Sequence, residues 1–175
     1  MEKTRYRKVF ITGALGFVGR ALSAHYRNLG VETCGLDVRA DSPARVVAGD
    51  VTRLEEWQAY IHGCDLVIHT AAIVTNNISR EEAWRVNVLG TRRVLDAAVR
   101  AGAKRFVHIS SLAAMRFILE DQADESAPVM PTGNPYVDTK IAGEQVVLAA
   151  HAAGEIPCTI IRPADVYGPG SRPWT

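Results

Sequence analysis

An excess of charge of either sign is missing from this sequence. Across 175 residues, 20 Lys and Arg stand against 19 Asp and Glu, a formal net charge of +1. That balance creates no overall field to gather nucleic acid or an anionic membrane surface, and neither partner is expected. Cysteine is scarce: Cys34, Cys64 and Cys158 are widely spaced, with no CxxC pattern and no His/Cys cluster. No metal site is expected on that ground. Thiols so placed read as reduced, which points to a cytoplasmic protein. Long apolar runs are missing too. The uncharged stretch Leu66 to Ser79 carries His69, Asn76 and Asn77 and falls short of the roughly 20 apolar residues that span a bilayer. The opening MEKTRYRKVF has no signal-peptide core. The 14 Gly and 8 Pro are an ordinary share, which argues against disorder or a fibrous repeat. What remains is an ordinary globular composition, 47% hydrophobic and 22% charged, at a length that suits one domain with a real core.

Six short, nearly all-apolar runs are present, most of them separated by helical patterns. They are Lys8 to Thr12, Val31 to Asp37, Val46 to Asp50, Asp65 to Thr70, Arg105 to Ser110 and Pro157 to Ile161. Gly16 to Leu29 reads as a helix closed by Gly30. Thr52 with Glu55, and Ser79 with Glu82, read as capping boxes, the second opening a long helix to about Ala101. Asn134 and Pro135 start another, ending near Ala153. Strands apolar on both faces alternating with helices predict a doubly wound α/β fold with a parallel sheet. The irregular segments Ala71 to Ser79, Leu112 to Gly133 and Arg162 to Thr175 follow strands four, five and six. They would lie at the carboxyl edge of the sheet, where ligands bind in such folds.

The first strand runs straight into TGALGFVG, Thr12 to Gly19. Gly13 suits a tight turn, Gly16 lets backbone approach a pyrophosphate, and Gly19 lets the helix pack against the sheet. Free N–H groups at the helix start would face phosphates. The glycines are spaced by three and three, unlike the common dinucleotide fingerprint. Asp37 ends the second strand roughly 20 residues on, the place for an acid that accepts from ribose hydroxyls. A carboxylate there repels a 2′-phosphate, so NAD is favoured over NADP, although Arg39 nearby keeps NADP open.

Tyr136 and Lys140 lie four apart at the start of a helix and so share a face. A phenol has a pKa of about 10, too high for a base near neutrality, and a neighbouring ammonium favours the phenolate. Ser110 and Ser111 end the fifth strand and offer hydroxyls to a substrate oxygen. Serine, tyrosine and lysine around a dinucleotide form a hydride-transfer constellation.

Taken in order, these motifs resemble the extended short-chain dehydrogenase/reductases, the NAD-dependent epimerase/dehydratase superfamily. The resemblance runs through TGALGFVG, Asp37, GDV (Gly49 to Val51), HTAA (His69 to Ala72), VNVLGT (Val86 to Thr91), ISS (Ile109 to Ser111), NPYVDTK (Asn134 to Lys140) and RPADVYGPG (Arg162 to Gly170). It implies a Rossmann sheet of order 3-2-1-4-5-6. It implies that Gly13, Gly16, Phe17, Val18 and Gly19 cradle the pyrophosphate, that Asp37 binds the adenine ribose, and that Asp50 and Val51 contact adenine. Ala71 and Ala72 would pass beside the cofactor, with Asn87 near it. Ser111, Tyr136 and Lys140 would be catalytic, Lys140 also holding the nicotinamide ribose, and Pro163 would flank the nicotinamide. The flavour is closest to the 3β-hydroxysteroid dehydrogenase-like branch. Ala113, Ala114 and Met115 stand where sugar-nucleotide epimerases usually carry Tyr-Gly, and Asp165 where many carry Asn.

Three functions are thereby framed. One is an NAD-dependent oxidoreductase acting on a secondary alcohol or ketone. Another is a nucleotide-sugar epimerase or dehydratase that regenerates its NAD in each cycle. The third is a non-catalytic NAD(P)-sensing module, which has no need of the full Ser–Tyr–Lys set. Enzymes of the resembled family continue beyond RPADVYGPG into a substrate region, so residues 1–175 read as the NAD(P)-binding part of a longer enzyme, with the substrate-binding region missing. The helices over 80–101 and 135–153 would pair with a second copy, giving a homodimer. Trp57, Trp84 and Trp174 are too scattered for base stacking. His69 and His108 read as satisfied core histidines, and Arg92, Arg93, Arg100, Lys104 and Arg105 as a solvated face.

Overall fold

The structure, a computed structural model, describes residues 6–75, 77–115 and 124–171. Asn76, Trp174 and part of the segment Leu112 to Gly133 lie outside them. Six strands form one parallel sheet: β1 (Lys8–Thr12), β2 (Glu32–Asp37), β3 (Val46–Ala48), β4 (Leu66–His69), β5 (Arg105–Ile109) and β6 (Cys158–Ile161). Their order is β3-β2-β1-β4-β5-β6, the order that the family resemblance implies. Every neighbouring pair is parallel, so each connection must cross over a face.

Alternation within β1 shows why its strand is apolar throughout. Val9 and Ile11 point to one face and pack with Leu66 and Ile68 against α1 (Phe17–Asn28), through Leu22 and Tyr26. Phe10 points to the other, among Leu36, Val67, Phe106 and Trp57. That second face is covered by α3 (Gly90–Arg100), through Val94, Leu95 and Ala98, and by α4 (Pro135–Ala152), through Val147 and Ala150. The helix ends follow the sequence signals. Gly30 and Gly154 take positive φ angles of 73° and 72° just past α1 and α4, where a Cβ would be strained. Ser79 Oγ accepts from Glu82 N at 3.2 Å and opens α2 (Arg80–Trp84).

Two expected helices differ. The long one is interrupted: between α2 and α3, Arg85–Leu89 widens into a π turn. The helix expected from Thr52 is replaced by two short 3₁₀ turns, Leu54–Glu56 and Gln58–Ile61. Long-range bonds claim the would-be cap. Thr52 Oγ1 accepts from Arg85 Nη1 at 2.8 Å, Thr52 O accepts from Arg93, and Asp50 Oδ1 accepts from Thr52 N. Trp57, fully buried, stacks on Phe10 and donates its indole N–H to Asp50 O at 2.9 Å. The third strand also stops at Ala48, because Asp50 turns away to make these bonds.

Candidate active site

The glycine-rich turn between β1 and α1 is built by close backbone approach. Gly13 has φ +67°, and a Cβ there would sit 2.7 Å from Thr70 Oγ1 and 2.8 Å from Ala71 N. A Cβ on Gly19 would sit 2.1 Å from Gly13 O, so only glycine lets this helix meet its own loop. Gly16 is the N-cap of α1 and supplies no side-chain cap, and the first turn carries no acid. The N–H groups at Phe17, Val18 and Gly19 thus start a helix whose first turn carries no acidic side chain of its own. Asp37 braces this loop: its Oδ2 accepts from Leu15 N at 2.9 Å and its Oδ1 from Val38 N at 2.9 Å.

The other expected nucleotide contacts are spread along the same sheet edge. Asp50 is tied to Thr52 N and, at 3.1 Å, to Arg85. Val51 is buried against Gly90, where a Cβ would meet its Cγ2 at 2.8 Å. Ala71 and Ala72, half-buried, lead away from β4, and Ala71 N donates to Thr12 Oγ1 at 3.3 Å. Asn87 has its side chain fully engaged. Its Oδ1 accepts from Ile73 N at 2.8 Å, and its Nδ2 donates to Ile73 O and to Thr139 Oγ1. From inside the π turn it therefore ties the loop after β4 to α4. Pro163 lies beside the end of β5, its carbonyl accepting from Leu112 N at 2.8 Å.

Helix α4 carries the candidate chemistry. Asn134 Oδ1 accepts from Tyr136 N at 2.9 Å and Val137 N at 3.3 Å, fixing the first turn. Lys140 lies one turn on, 5.9 Å from the Tyr136 ring centre, and donates to Ile109 O at 2.9 Å. Ser111 follows β5, caps the next turn by accepting from Ala113 N, and brings its hydroxyl close enough to the Tyr136 phenol to favour the phenolate. The three residues singled out in sequence thus meet. Their electrostatics add detail. Burial pushes the Tyr136 phenol above its ordinary value, and the opposing pull comes from the Ser111 hydroxyl rather than from Lys140. Burial also pushes Lys140 down to about 8, with Glu144 pulling the other way.

Sequence reading missed what lies behind this cluster. Glu144, four residues beyond Lys140 and fully buried, is gripped at both oxygens by Arg162, at 2.9 and 2.8 Å. The pair locks α4 to the segment after β6. The i,i+4 spacing of Lys140 and Glu144 was a signal; the partner, reached only through the fold, was not. His69 is satisfied, between Thr12 Oγ1 at 2.7 Å and Thr91 Oγ1 at 3.0 Å. His108 departs from the reading of it as satisfied: among the described residues, neither ring nitrogen nor the neighbouring Ser110 Oγ has a partner.

The family model for the NAD dependent epimerase/dehydratase family matches residues 9–174. The chain belongs to this family. A 3 beta-hydroxysteroid dehydrogenase/Delta 5-->4-isomerase of Mycobacterium tuberculosis is 33% identical over 97% of this chain and 50% of its own length. A short-chain dehydrogenase/reductase superfamily protein of Agrobacterium tumefaciens, solved with bound NAD, superposes with a TM-score of 0.80 at 32% identity. It covers 89% of this chain and 48% of that one. MoeE5, solved with UDP-glucose and NAD, gives 0.81 at 32% identity over 95% and 57%. The chain spans about half the length of the curated relatives it matches. NAD is the cofactor of this family, whose members among these relatives are enzymes. No helix among the described residues is long and apolar enough to cross a membrane.

Proposed function

We propose that this chain is the nucleotide half of an NAD-dependent oxidoreductase acting on a secondary alcohol or ketone of the hydroxysteroid kind. The observation that carries the reading is the meeting of Ser111, Tyr136 and Lys140 at the carboxyl edge of the sheet that also carries the glycine cradle. The cradle fits a dinucleotide, since Gly13 and Gly19 leave no room for a Cβ and the uncapped start of α1 offers N–H groups to a pyrophosphate. Gly13, Gly16, Phe17, Val18 and Gly19 would hold the phosphates, Asp37 the adenine ribose, Asp50 and Val51 the adenine, and Ala71, Ala72 and Pro163 the nicotinamide half. Bound NAD supplies a hydride acceptor. Tyr136 takes the proton from the substrate hydroxyl, Ser111 holds the same oxygen, and the Lys140 ammonium favours the phenolate once it turns from Ile109 O toward the ribose. In the isolated chain Tyr136 is a weak acid, so the ammonium has work to do only when substrate and cofactor order the site.

Replacing Tyr136 by Phe in the full-length enzyme is expected to lower turnover by about 10³-fold or more while leaving NAD affinity within a few-fold. Wild-type turnover in that variant would remove Tyr136 from the chemistry. Asp37→Asn is the sharper test of cofactor choice, because an amide oxygen can still accept from Leu15 N. It is expected to weaken NAD and relieve repulsion of NADP, read by calorimetric titration of both; equal losses would refute the ribose role.

A second reading is supported by MoeE5, which binds UDP-glucose: an epimerase or dehydratase of a nucleotide sugar, with NAD regenerated each cycle. Net NADH formation at the nicotinamide absorbance distinguishes the first reading from it. A homodimer belongs to the same proposal. Trp84 and Leu89, on the helical run from α2 to α3, and Leu148, on α4, are each nearly half exposed. Trp84 and Leu89 line a cleft of about 550 Å³ with Arg80, Glu81 and Arg85. A cytoplasmic location suits the free thiols.

A further inference from the structure

The sequence separates Cys34 and Cys64 by a strand, a loop and two turns, yet the fold brings their sulfurs to 4.0 Å. Cys34 lies within β2 and is half-buried; Cys64 is buried just before β4. Cys34 opens into a cleft of about 460 Å³, lined also by Lys8, Ser42, Arg45 and Tyr60. Two cations flank the cleft and share one acid: Glu32 pairs with Arg45 at 2.8 Å and with Lys8 at 3.8 Å. Cys64 follows Gly63, a turn residue with φ +72° and open space around it, so its backbone sits on a turn rather than in the sheet. We propose that Cys34 and Cys64 form a peroxide-reactive thiol pair that closes reversibly into a disulfide.

The two sulfurs have different roles. Cys34 is the reachable one, with cations beside it, the setting in which a thiol ionises and reacts. It is held below its ordinary value first by the hydrogen bond from Cys64, then by Lys8 and Arg45, against burial and Glu32. Cys64 is pushed far up by the same bond and by burial, and waits as the resolving thiol. The Cys34 thiolate attacks a hydroperoxide oxygen. An S–O bond forms, the O–O bond breaks, and the leaving oxygen takes a proton and departs as water or an alcohol. Cys34 is then a sulfenic acid. The Cys64 sulfur, giving up its proton to the departing oxygen, attacks the Cys34 sulfur. The S–S bond forms and a second water leaves. Two thiols lose two electrons and the peroxide gains them. Closing from 4.0 Å to a bond of about 2.05 Å requires the sulfurs to approach by about half their separation, which the turn at Gly63 can yield. Cys158, far along the chain on β6, is an internal control, because its thiol donates to Ile156 O and, among the described residues, meets no other sulfur.

Hydrogen peroxide added to the reduced 175-residue chain, followed by alkylation and non-reducing peptide mapping, tests this without any enzyme assay. A peptide joining Cys34 to Cys64, lighter by about 2 Da and restored by dithiothreitol, is expected, with Cys158 still alkylated. The Cys64→Ser variant is expected to trap Cys34 as a sulfenic acid that a dimedone probe labels about tenfold faster than Cys158. Oxidation of Cys158 first, crosslinking between chains, or a Cys34 no more reactive than Cys158 overturns the proposal. Failure of the variant to fold leaves the wild-type peptide map to decide.

Discussion

At the scale of the residue, the buried histidines carry a cost that depends on pH. His69 and His108 stack at 5.5 Å on neighbouring strands, paired in register across β4 and β5. Burial pushes His69 down to about 3, aided by Lys140, and holds His108 well below its ordinary value, aided by the charges of His69 and Lys140. Both are therefore neutral when folded and titrate near pH 6.5 when unfolded. The stability they contribute is full above that value and falls as pH drops below it, because the unfolded chain binds the protons. At pH 5 keeping His69 neutral costs about 2 kcal/mol, and His108 adds a cost of the same sign. His108→Leu, which also removes two unpartnered nitrogens, is expected to raise the urea midpoint at pH 5 more than at pH 7.5. A parallel shift at both would show that His108 does not titrate with unfolding. Little of this was legible in the sequence. Strand membership of both histidines was, but satisfaction depends on Thr12 and Thr91, which reach His69 and not His108. Ser111, Tyr136 and Lys140 were legible because two of them share one helix turn and the third ends a strand. Glu144 with Arg162, and Asn87 with Thr139, were hidden because each partner comes from another element.

At the scale of the element, sequence reading succeeded where local chemistry decides and failed where distant groups do. The α1 and α4 boundaries follow from Gly30, Asn134 and Pro135, all acting within a turn of the helix end. The helix expected at Thr52 lost to bonds from Arg85 and Arg93, which lie in the next helical run. The π turn at Arg85–Leu89 is of the same kind: it aims Asn87 at Ile73 and Thr139, and nothing in its own five residues demands the extra width. The glycine turn offers a direct test. Gly19→Ala places a methyl against Gly13 O, a backbone atom that cannot step aside. The expected loss is about 3 kcal/mol of stability, seen in the urea midpoint, together with loss of retention on immobilised nucleotide. An unchanged midpoint would mean that α1 can slide away from its loop.

At the scale of the molecule, the exposed Trp84, Leu89 and Leu148 give the proposed homodimer its test. Light scattering at micromolar concentration is expected to return twice the mass of the 19.0 kDa chain, and Leu89→Arg to return the single mass. A monomer in the wild type would remove the interface. The sheet order carries a consequence of another kind. No strand is joined to its sheet neighbour by a hairpin: β1 and β2 are separated by α1, and β1 and β4 by everything from α1 to the second 3₁₀ turn. The sheet's centre pairs segments that the chain meets late, so loop closure must precede any reward from pairing. Refolding after dilution from urea is therefore expected to take milliseconds to seconds rather than microseconds, read by stopped-flow fluorescence. Until β4 arrives, β1 holds an open edge to solvent, and the time spent in that state sets how concentrated a refolding sample can be before chains pair with each other instead.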